Sequence, residues 1–182
     1  MRKLDCLIIH TPKFNNYYKP VGQFMWVNYM PLGLLGIADY LHRNRMRCSV
    51  LHQGVEKMNR LSWQLEESLS SVSVPVIALS LHWHYQAYDV IESCKKIREI
   101  HPGAYIVVGG STASFFHEEI VRDFNCVDGV VRGDGELPLL EVVRKIKKGD
   151  RNLSGVPNLT WRNGEGRVVT NETTYCADEK ML

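Results

Sequence analysis

The sequence predicts an α/β fold: a flavodoxin-like, doubly wound, five-stranded parallel sheet of order 2-1-3-4-5, with a C-terminal β-hairpin extension. Two observations lead to this prediction. Short apolar runs rich in valine and isoleucine alternate with amphipathic helical patterns, and such runs are typical of strands buried on both faces. Near the C-terminus, an Asn-Gly pair between two strand-like runs indicates a hairpin.

The elements follow one another in a regular order. Five strands are predicted at residues 4–9, 47–51, 76–81, 104–108 and 127–131. Helices are predicted at residues 31–42, 61–69, 88–100, 115–124 and 137–146. The hairpin strands are expected at 159–162 and 167–170. Residues 1–150 would therefore form the main domain, and residues 151–182 a linker and the hairpin, which needs something to dock on.

Composition excludes several classes of function. The chain of 182 residues suits one domain, and its formal net charge of +2, without a long basic cluster, gives no sign of nucleic-acid binding. No apolar run approaches the roughly 20 residues of a membrane span, and the N-terminus does not resemble a signal peptide. We therefore expect a cytoplasmic protein without nucleic-acid or membrane partners.

The five cysteines are widely spaced and form no CxxC or Cys-His pattern for a local metal site. Four of them lie inside apolar strand or helix patterns, and a free cysteine packs as a small hydrophobe. Buried structural thiols are the expected interpretation.

Two glycine turns mark a candidate ligand site. The run Val107-Val108-Gly109-Gly110-Ser111 ends the fourth predicted strand, and Gly133-Asp134-Gly135-Glu136 follows the fifth. Both turns fall where an open α/β sheet presents its strand ends to a ligand. Glycine lets the backbone approach a ligand closely, although a Gly-Gly pair can also simply terminate a strand.

Two connections at the same edge are unusual. The first runs from residue 10 to residue 30, begins with Thr11-Pro12, and is long and rich in aromatic residues; it is either a ligand-binding loop or a lid packed on its own aromatics. The second is Ser80-Leu81-His82-Trp83-His84, which suits a flat, metal-bearing ligand. Dinucleotide and P-loop motifs are absent, and so are a receiver aspartate and a flavodoxin phosphate loop.

Five segments in order resemble the N-terminal cobalamin-binding domain of cobalamin-dependent radical SAM enzymes. They are Pro31-Leu32-Gly33-Leu34, Ala78-Leu79-Ser80, Val107-Val108-Gly109-Gly110, Gly133-Asp134-Gly135-Glu136 and the segment 156–162 with its Asn-Gly turn. The resemblance covers nearly the whole chain, and residues 1–150 would be the cobalamin-binding domain.

The resemblance implies that the domain holds the corrin at the carboxyl edge of the sheet. The Gly-Gly pair would pack backbone against the nucleotide tail of cobalamin, Ser80 would make a polar contact to the same tail, and the second glycine turn would close the cofactor edge. The implied cofactor-binding residues are Thr11, Pro12, Leu32, Gly33, Ser80, Leu81, His82, Trp83, His84, Gly109, Gly110, Ser111, Gly133, Asp134, Gly135 and Glu136.

Two motifs are missing. The D-x-H-x-x-G motif that supplies a lower-ligand histidine is absent, so either His82 or His84 coordinates the cobalt, or Trp83 blocks its lower face; we favour the second. The C-x-x-x-C-x-x-C motif is absent as well. An iron-sulfur cluster and S-adenosylmethionine would then belong to a downstream domain, and a radical SAM barrel would be a partner in cis or in trans.

No catalysis is expected from these residues alone; the chain would serve a radical SAM methyltransferase-type enzyme, either as its excised N-terminal domain or as a stand-alone module. The rival hypothesis is a flavodoxin-like interaction domain that has no cofactor and binds a protein partner. The His-Trp-His segment separates the two hypotheses, because a pure scaffold has no need of it at an exposed strand end.

Overall fold

The computed structural model describes residues 1–14 and 32–178, which form an α/β fold around one mostly parallel sheet. The strands are β1 (Cys6–His10), β2 (Cys48–His52), β3 (Val76–Ser80), β4 (Tyr105–Gly109), β5 (Gly129–Val131), β6 (Leu159–Arg162) and β7 (Val168–Thr170). The helices are α1 (Leu32–Arg43), α2 (Gln53–Asn59), α3 (Leu65–Ser70), α4 (Ala87–Ile100), α5 (Ser111–Phe115), α6 (His117–Asp123) and α7 (Glu136–Lys147). The predicted fold class is confirmed.

The described strands of the main sheet lie in the order β2-β1-β3-β4-β5-β6-β7. The first five are parallel, while β6 pairs antiparallel with β5 and β7 pairs antiparallel with β6. A separate two-residue pairing joins Arg2–Lys3 to Val72–Ser73. The parallel strands therefore bring all their carboxyl ends to one edge of the sheet.

Each face of the sheet has its own apolar core, because successive strand side chains point to opposite faces. One core packs the sheet against α3, α4 and α6, with Ile77 and Ile106 fully buried in it. The other packs the sheet against α1 and α7, with Leu41 and Leu140 almost fully buried. The candidate site described below lies on the α1 and α7 face.

Three helical regions differ from the sequence prediction. Residues 53–59 form the unpredicted helix α2, whose first turn is capped by His52: its Nδ1 accepts a hydrogen bond from the Val55 N–H at 3.2 Å. The helix predicted at 61–69 is confined to Leu65–Ser70. The helix predicted at 115–124 corresponds to α6, and the unpredicted helix α5 precedes it, with Phe116 between the two.

The C-terminal hairpin docks on the main sheet. Because β6 continues the sheet beyond β5, Trp161 is buried, with 5% of its surface exposed, in the core of the α1 and α7 face. Asn158 precedes β6 at a φ of 59°, a left-handed conformation that asparagine tolerates better than most residues. The division of the chain at residue 150 stays a prediction.

The cysteines are distributed as expected. Cys6, Cys48, Cys94 and Cys126 are buried free thiols, and Cys176 is exposed. None of the helices in the described ranges has the length and apolar character needed to cross a membrane.

Candidate functional site

A single row of residues runs along the carboxyl edge of the sheet, on the α1 and α7 face. Strand register places His52 beside His10, His10 beside Ser80, Ser80 beside Gly109, and Gly109 beside Val131. The side chains become smaller from the two imidazoles to the hydroxymethyl group of Ser80 and the bare glycine. This decrease in size leaves space above β3 and β4.

A cavity of about 650 Å³ occupies that space between the sheet, α1 and α7. Its floor is apolar and is built from Ile8, Ala78 and Val107 of three adjacent strands. Among the described strand residues that line the cavity, Ser80 alone has a polar side chain. A cavity of this size and character is typical of a small-molecule site, for which volumes of roughly 300–1,000 Å³ are usual.

The two glycines that end β4 have different roles. A Cβ atom on Gly109 would lie 3.6 Å from the Val131 carbonyl oxygen, an ordinary contact, and Gly109 lines the cavity. A Cβ atom on Gly110 would lie 2.7 Å from the Leu81 carbonyl oxygen, and Gly110 has a φ of 108°. Gly110 is therefore required by the backbone itself, whereas Gly109 keeps the cavity floor open.

One hydroxyl joins the two glycine turns. Ser114 Oγ donates to the Gly110 carbonyl at 2.9 Å and accepts from the Gly133 N–H at 2.9 Å. Ser114, Gly110 and Gly133 all line the cavity. Ser114 was not predicted as a site residue, because a serine inside a short helix gives no distinctive signal.

The second glycine turn forms the wall of the cavity next to α7. Glu136 begins α7, and its Oε2 atom is buried without a hydrogen-bond partner among the described residues. Gly135 lies close to Ile37 of α1, whose Cδ1 would be 2.9 Å from an added Cβ. The Asp134 carboxylate instead accepts a hydrogen bond from the Ala177 N–H at 2.9 Å, so it holds the C-terminal segment.

The opposite rim of the cavity follows β3. His82 lines the cavity, whereas Leu81 is buried in the core of the other face. Trp83 is 37% exposed and stacks nearly parallel to Tyr85, with ring centroids 6.4 Å apart. His84 is exposed at the start of a short 3-10 helix, so the two predicted histidines do not lie together at the cavity.

The connection after β1 begins below this rim. Thr11 and Pro12 are buried, and neither lines the cavity. Thr11 accepts hydrogen bonds from two buried amides: the Gln53 side chain reaches its Oγ1 at 2.9 Å, and the Gln86 side chain reaches its carbonyl at 3.1 Å. Most of the predicted aromatic loop, residues 15–30, lies outside the described residues, and so does Pro31, where a helix was predicted to begin.

Helix α1 completes the mouth of the cavity. Leu32 and Gly33 line it, and Leu32 is largely exposed. Ser111, at the first turn of α5, also lines it and lies 3.5 Å from His82, Oγ to Nδ1. The structure thus brings most of the predicted cofactor-binding residues to one cavity, with Thr11, Pro12, Leu81, Trp83 and His84 outside its lining.

His10 and His52 were not predicted as site residues. His10 Nδ1 lies 2.9 Å from Ser80 Oγ, and its ring centroid lies 4.6 Å from that of His52. Burial, together with the neighbouring imidazoles of His52 and His82, lowers the pKa of His10 to about 4. His10 is therefore neutral near pH 7. The predicted strand order already placed the ends of the first and third strands side by side, and this was the one feature of the sequence from which the contact between His10 and Ser80 could have been predicted.

Within residues 1–14 and 32–178, no cluster of three or more His, Cys, Asp or Glu side chains is arranged to hold a metal ion.

Comparison with known proteins identifies relatives of this architecture. The family model of the B12 binding domain matches residues 27–143. An uncharacterized methyltransferase of Pyrococcus horikoshii is 39% identical over 84 residues, which cover 46% of this chain and 17% of the relative. The anaerobic magnesium-protoporphyrin IX monomethyl ester cyclase of Rubrivivax gelatinosus is 29% identical over 86 residues, which cover 45% of this chain and 15% of the relative.

Two solved structures share the fold. The radical S-adenosylmethionine methyltransferase TsrM from Kitasatospora setae superposes with a TM-score of 0.71 and 19% identity over 94% of this chain and 30% of its own. The cobalamin-dependent S-adenosylmethionine radical enzyme OxsB, with aqua-cobalamin and S-adenosylmethionine bound, superposes with a TM-score of 0.69 and 16% identity. That match covers 97% of this chain and 23% of OxsB. The matches span less than a third of each of these proteins.

Proposed function

The chain belongs to the B12 binding domain family, and we propose that its cavity receives the nucleotide tail of cobalamin while the corrin lies outside, at the carboxyl edge of the sheet. The cofactor of this family is cobalamin. The observation that carries the proposal is the row of shrinking side chains that ends at Ser80 and Gly109 and opens the cavity above β3 and β4.

The residues at the cavity fit such a ligand. A cavity of about 650 Å³ lies within the usual range for a small-molecule site and suits a heterocycle with an attached sugar. The apolar floor of Ile8, Ala78 and Val107 suits the flat faces of the heterocycle. The unpartnered Glu136 Oε2 can accept a hydrogen bond from an amide or hydroxyl group of the cofactor.

Three residues would hold the tail directly. Ser80 offers a hydroxyl group in an otherwise apolar strand floor, Gly109 lets backbone pack against the tail, and Glu136 offers its carboxylate at the opposite wall. Ser114 keeps both glycine turns in register through its two hydrogen bonds. When bound, cobalamin supplies a cobalt-carbon bond for methyl transfer, and the protein supplies orientation and the surroundings of the metal.

We further propose that this domain serves a radical SAM methyltransferase-type enzyme. The support is the fold shared with TsrM and OxsB and the methyltransferase relative from Pyrococcus horikoshii. A radical SAM barrel, in cis or in trans, would contribute the iron-sulfur cluster and S-adenosylmethionine. The cytoplasmic location expected from the composition stays a prediction.

We also propose that Trp83 covers the lower face of the cobalt. Trp83 is partly exposed at the rim, and its stacking on Tyr85 holds the indole ring. An indole nitrogen is not a good cobalt ligand, whereas a neutral imidazole is. His82 is the histidine nearest to the cavity and is therefore the alternative ligand, while His84 lies away from it.

Gel filtration with bound ligand tests the proposed function. After mixing with hydroxocobalamin, the protein should elute together with the visible absorbance of the corrinoid, at one corrinoid per protein chain. Flavin mononucleotide, which other flavodoxin-like folds bind, serves as the control and should separate from the protein. Elution of a folded protein without corrinoid would contradict the proposal and would favour the interaction-domain hypothesis.

A further inference from the structure

We propose that His10 is a positioning residue that directs the Ser80 hydroxyl proton into the cavity and thereby selects a ligand with a hydrogen-bond acceptor at that point. This inference rests on the proposed function, because the acceptor we assign is the free ring nitrogen of the cobalamin nucleotide tail.

The contact between the two residues is direct and shielded. His10 Nδ1 lies 2.9 Å from Ser80 Oγ, and the two residues occupy paired positions on β1 and β3. His10 is 2% exposed and does not line the cavity, whereas Ser80 does. His10 therefore acts on a ligand only through the Ser80 hydroxyl.

The imidazole of His10 is held in place from its other side. His52 pairs with His10 on the adjacent strand, and the two rings are 4.6 Å apart and tilted by 60°. His52 is fixed in turn, because its Nδ1 accepts the Val55 N–H at the start of α2. Helix α2 therefore holds His52 in place, and His52 in turn holds His10 against Ser80.

The protonation state of His10 determines what Ser80 can offer. Burial keeps His10 neutral near pH 7, and a neutral imidazole carries one proton, on either Nδ1 or Nε2. With the proton on Nδ1, His10 donates to Ser80 Oγ, and the Ser80 hydroxyl is left to donate into the cavity. With a bare Nδ1, Ser80 would donate to His10 and could offer a ligand only its lone pairs.

The tail of cobalamin favours the first arrangement. A benzimidazole base that is not bound to cobalt would present a ring nitrogen that accepts a hydrogen bond and carries no proton. Among the described residues, the other polar side chains that line the cavity, those of His82, Ser111, Ser114, Asp134 and Glu136, belong to loops and helices, so Ser80 supplies the hydroxyl group on the strand floor that could satisfy it. We therefore assign the proton to Nδ1 of His10.

Four variants and two corrinoids test the inference. Equilibrium dialysis would compare hydroxocobalamin with cobinamide, which lacks the nucleotide tail, for His10→Leu, His10→Asn, Ser80→Ala and the double variant His10→Leu/Ser80→Ala. Asparagine can place an N–H where the imidazole Nδ1–H lies, so His10→Asn should restore the affinity. The positions of the ring protons can be read from nitrogen-15 NMR of the histidines, assigned by comparison with His10→Asn.

The expected result is a loss specific to the tail. Losing one hydrogen bond should weaken cobalamin binding about tenfold in Ser80→Ala and several-fold in His10→Leu. The double variant should bind like Ser80→Ala alone, and cobinamide affinity should stay unchanged throughout. The nitrogen-15 spectrum should show the His10 proton on Nδ1.

Three results would overturn the inference while leaving the proposed function intact. These are additive losses in the double variant, an equal loss of cobinamide affinity in His10→Leu, and a His10 proton on Nε2. A folded wild-type protein that binds neither corrinoid would overturn the proposed function itself.

Discussion

Replacing Gly109 with valine should weaken cobalamin binding while leaving the fold intact. The Cβ atom would lie 3.6 Å from the Val131 carbonyl oxygen and 4.0 Å from the Val131 Cβ, which are ordinary contacts. The φ of Gly109 is not among the positive values in the described chain, so an L-residue fits the strand. The protein should therefore tolerate the new side chain.

The substitution should instead lower the affinity for the ligand. The added side chain would stand beside Ser80 at the cavity floor, where the proposed tail packs against bare backbone. Forcing extra methyl groups into a packed contact typically costs about 1–3 kcal/mol. At 1.4 kcal/mol for each factor of ten, cobalamin affinity should fall roughly 5- to 150-fold.

Equilibrium dialysis with hydroxocobalamin, together with thermal unfolding, would measure both effects. Gly103→Val is the matched control, because Gly103 lies outside the cavity and a Cβ there would meet nothing within 4 Å. The control should bind cobalamin like the wild type. A folded Gly109→Val protein with wild-type affinity would refute the placement of the tail at this floor.

Three further predictions concern other parts of the molecule. The paramagnetic resonance spectrum of the cobalt(II) form should show no nitrogen splitting from His82, because Trp83 covers the lower face of the cobalt. Splitting that is present in the wild type and absent in His82→Ala would instead identify a histidine ligand. Deleting residues 155–182 should lower Tm by roughly 10 °C or more, since it removes Trp161 and its buried strand neighbours; an unchanged Tm would show that the hairpin adds no stability. The depressed pKa of His10, about 4, means that the unfolded state binds more protons between about pH 4 and pH 6.5. Through His10, the free energy of unfolding should therefore be about 3 kcal/mol higher above pH 6.5 than at pH 4, and this difference is lost as the pH falls to 4. Denaturant titrations should show a flatter pH dependence for His10→Asn, and equal slopes would contradict the assignment.

The alternation of apolar runs and helical patterns was sufficient to predict the fold class, because buried parallel strands leave a clear signal in the sequence. Helix α2 was missed for a local reason. Its N-cap is His52, a residue that is rarely used in that role, and Gly54 in its first turn weakens the helical pattern. The break at Phe116 was missed because the apolar spacing continues across it.

The candidate site was only partly predictable. Glycines at strand ends pointed to the right edge of the sheet, but the sequence could not separate Gly109, which borders the cavity, from Gly110, which the backbone needs. Asp134 belongs to a predicted turn, yet its carboxylate holds the C-terminal segment. Such distinctions depend on contacts between residues that are distant in the sequence.

His10 shows most clearly what register adds to sequence reasoning. Read alone, it is a polar residue at the end of an apolar strand. Paired with Ser80 on one side and His52 on the other, it becomes part of the support of the cavity. The strand order predicted from the sequence places the first strand next to the third. The pairing of His10 with Ser80 follows from that order only if both strands end at matching residues.

The crystal structure of the protein in complex with cobalamin would test the central claim most directly. We predict electron density for the nucleotide tail between α1 and α7, above Ala78 and Gly109, with a tail nitrogen within hydrogen-bond distance of Ser80 Oγ. A bound cobalamin whose tail stays on the cobalt, or lies anywhere other than this cavity, would contradict it.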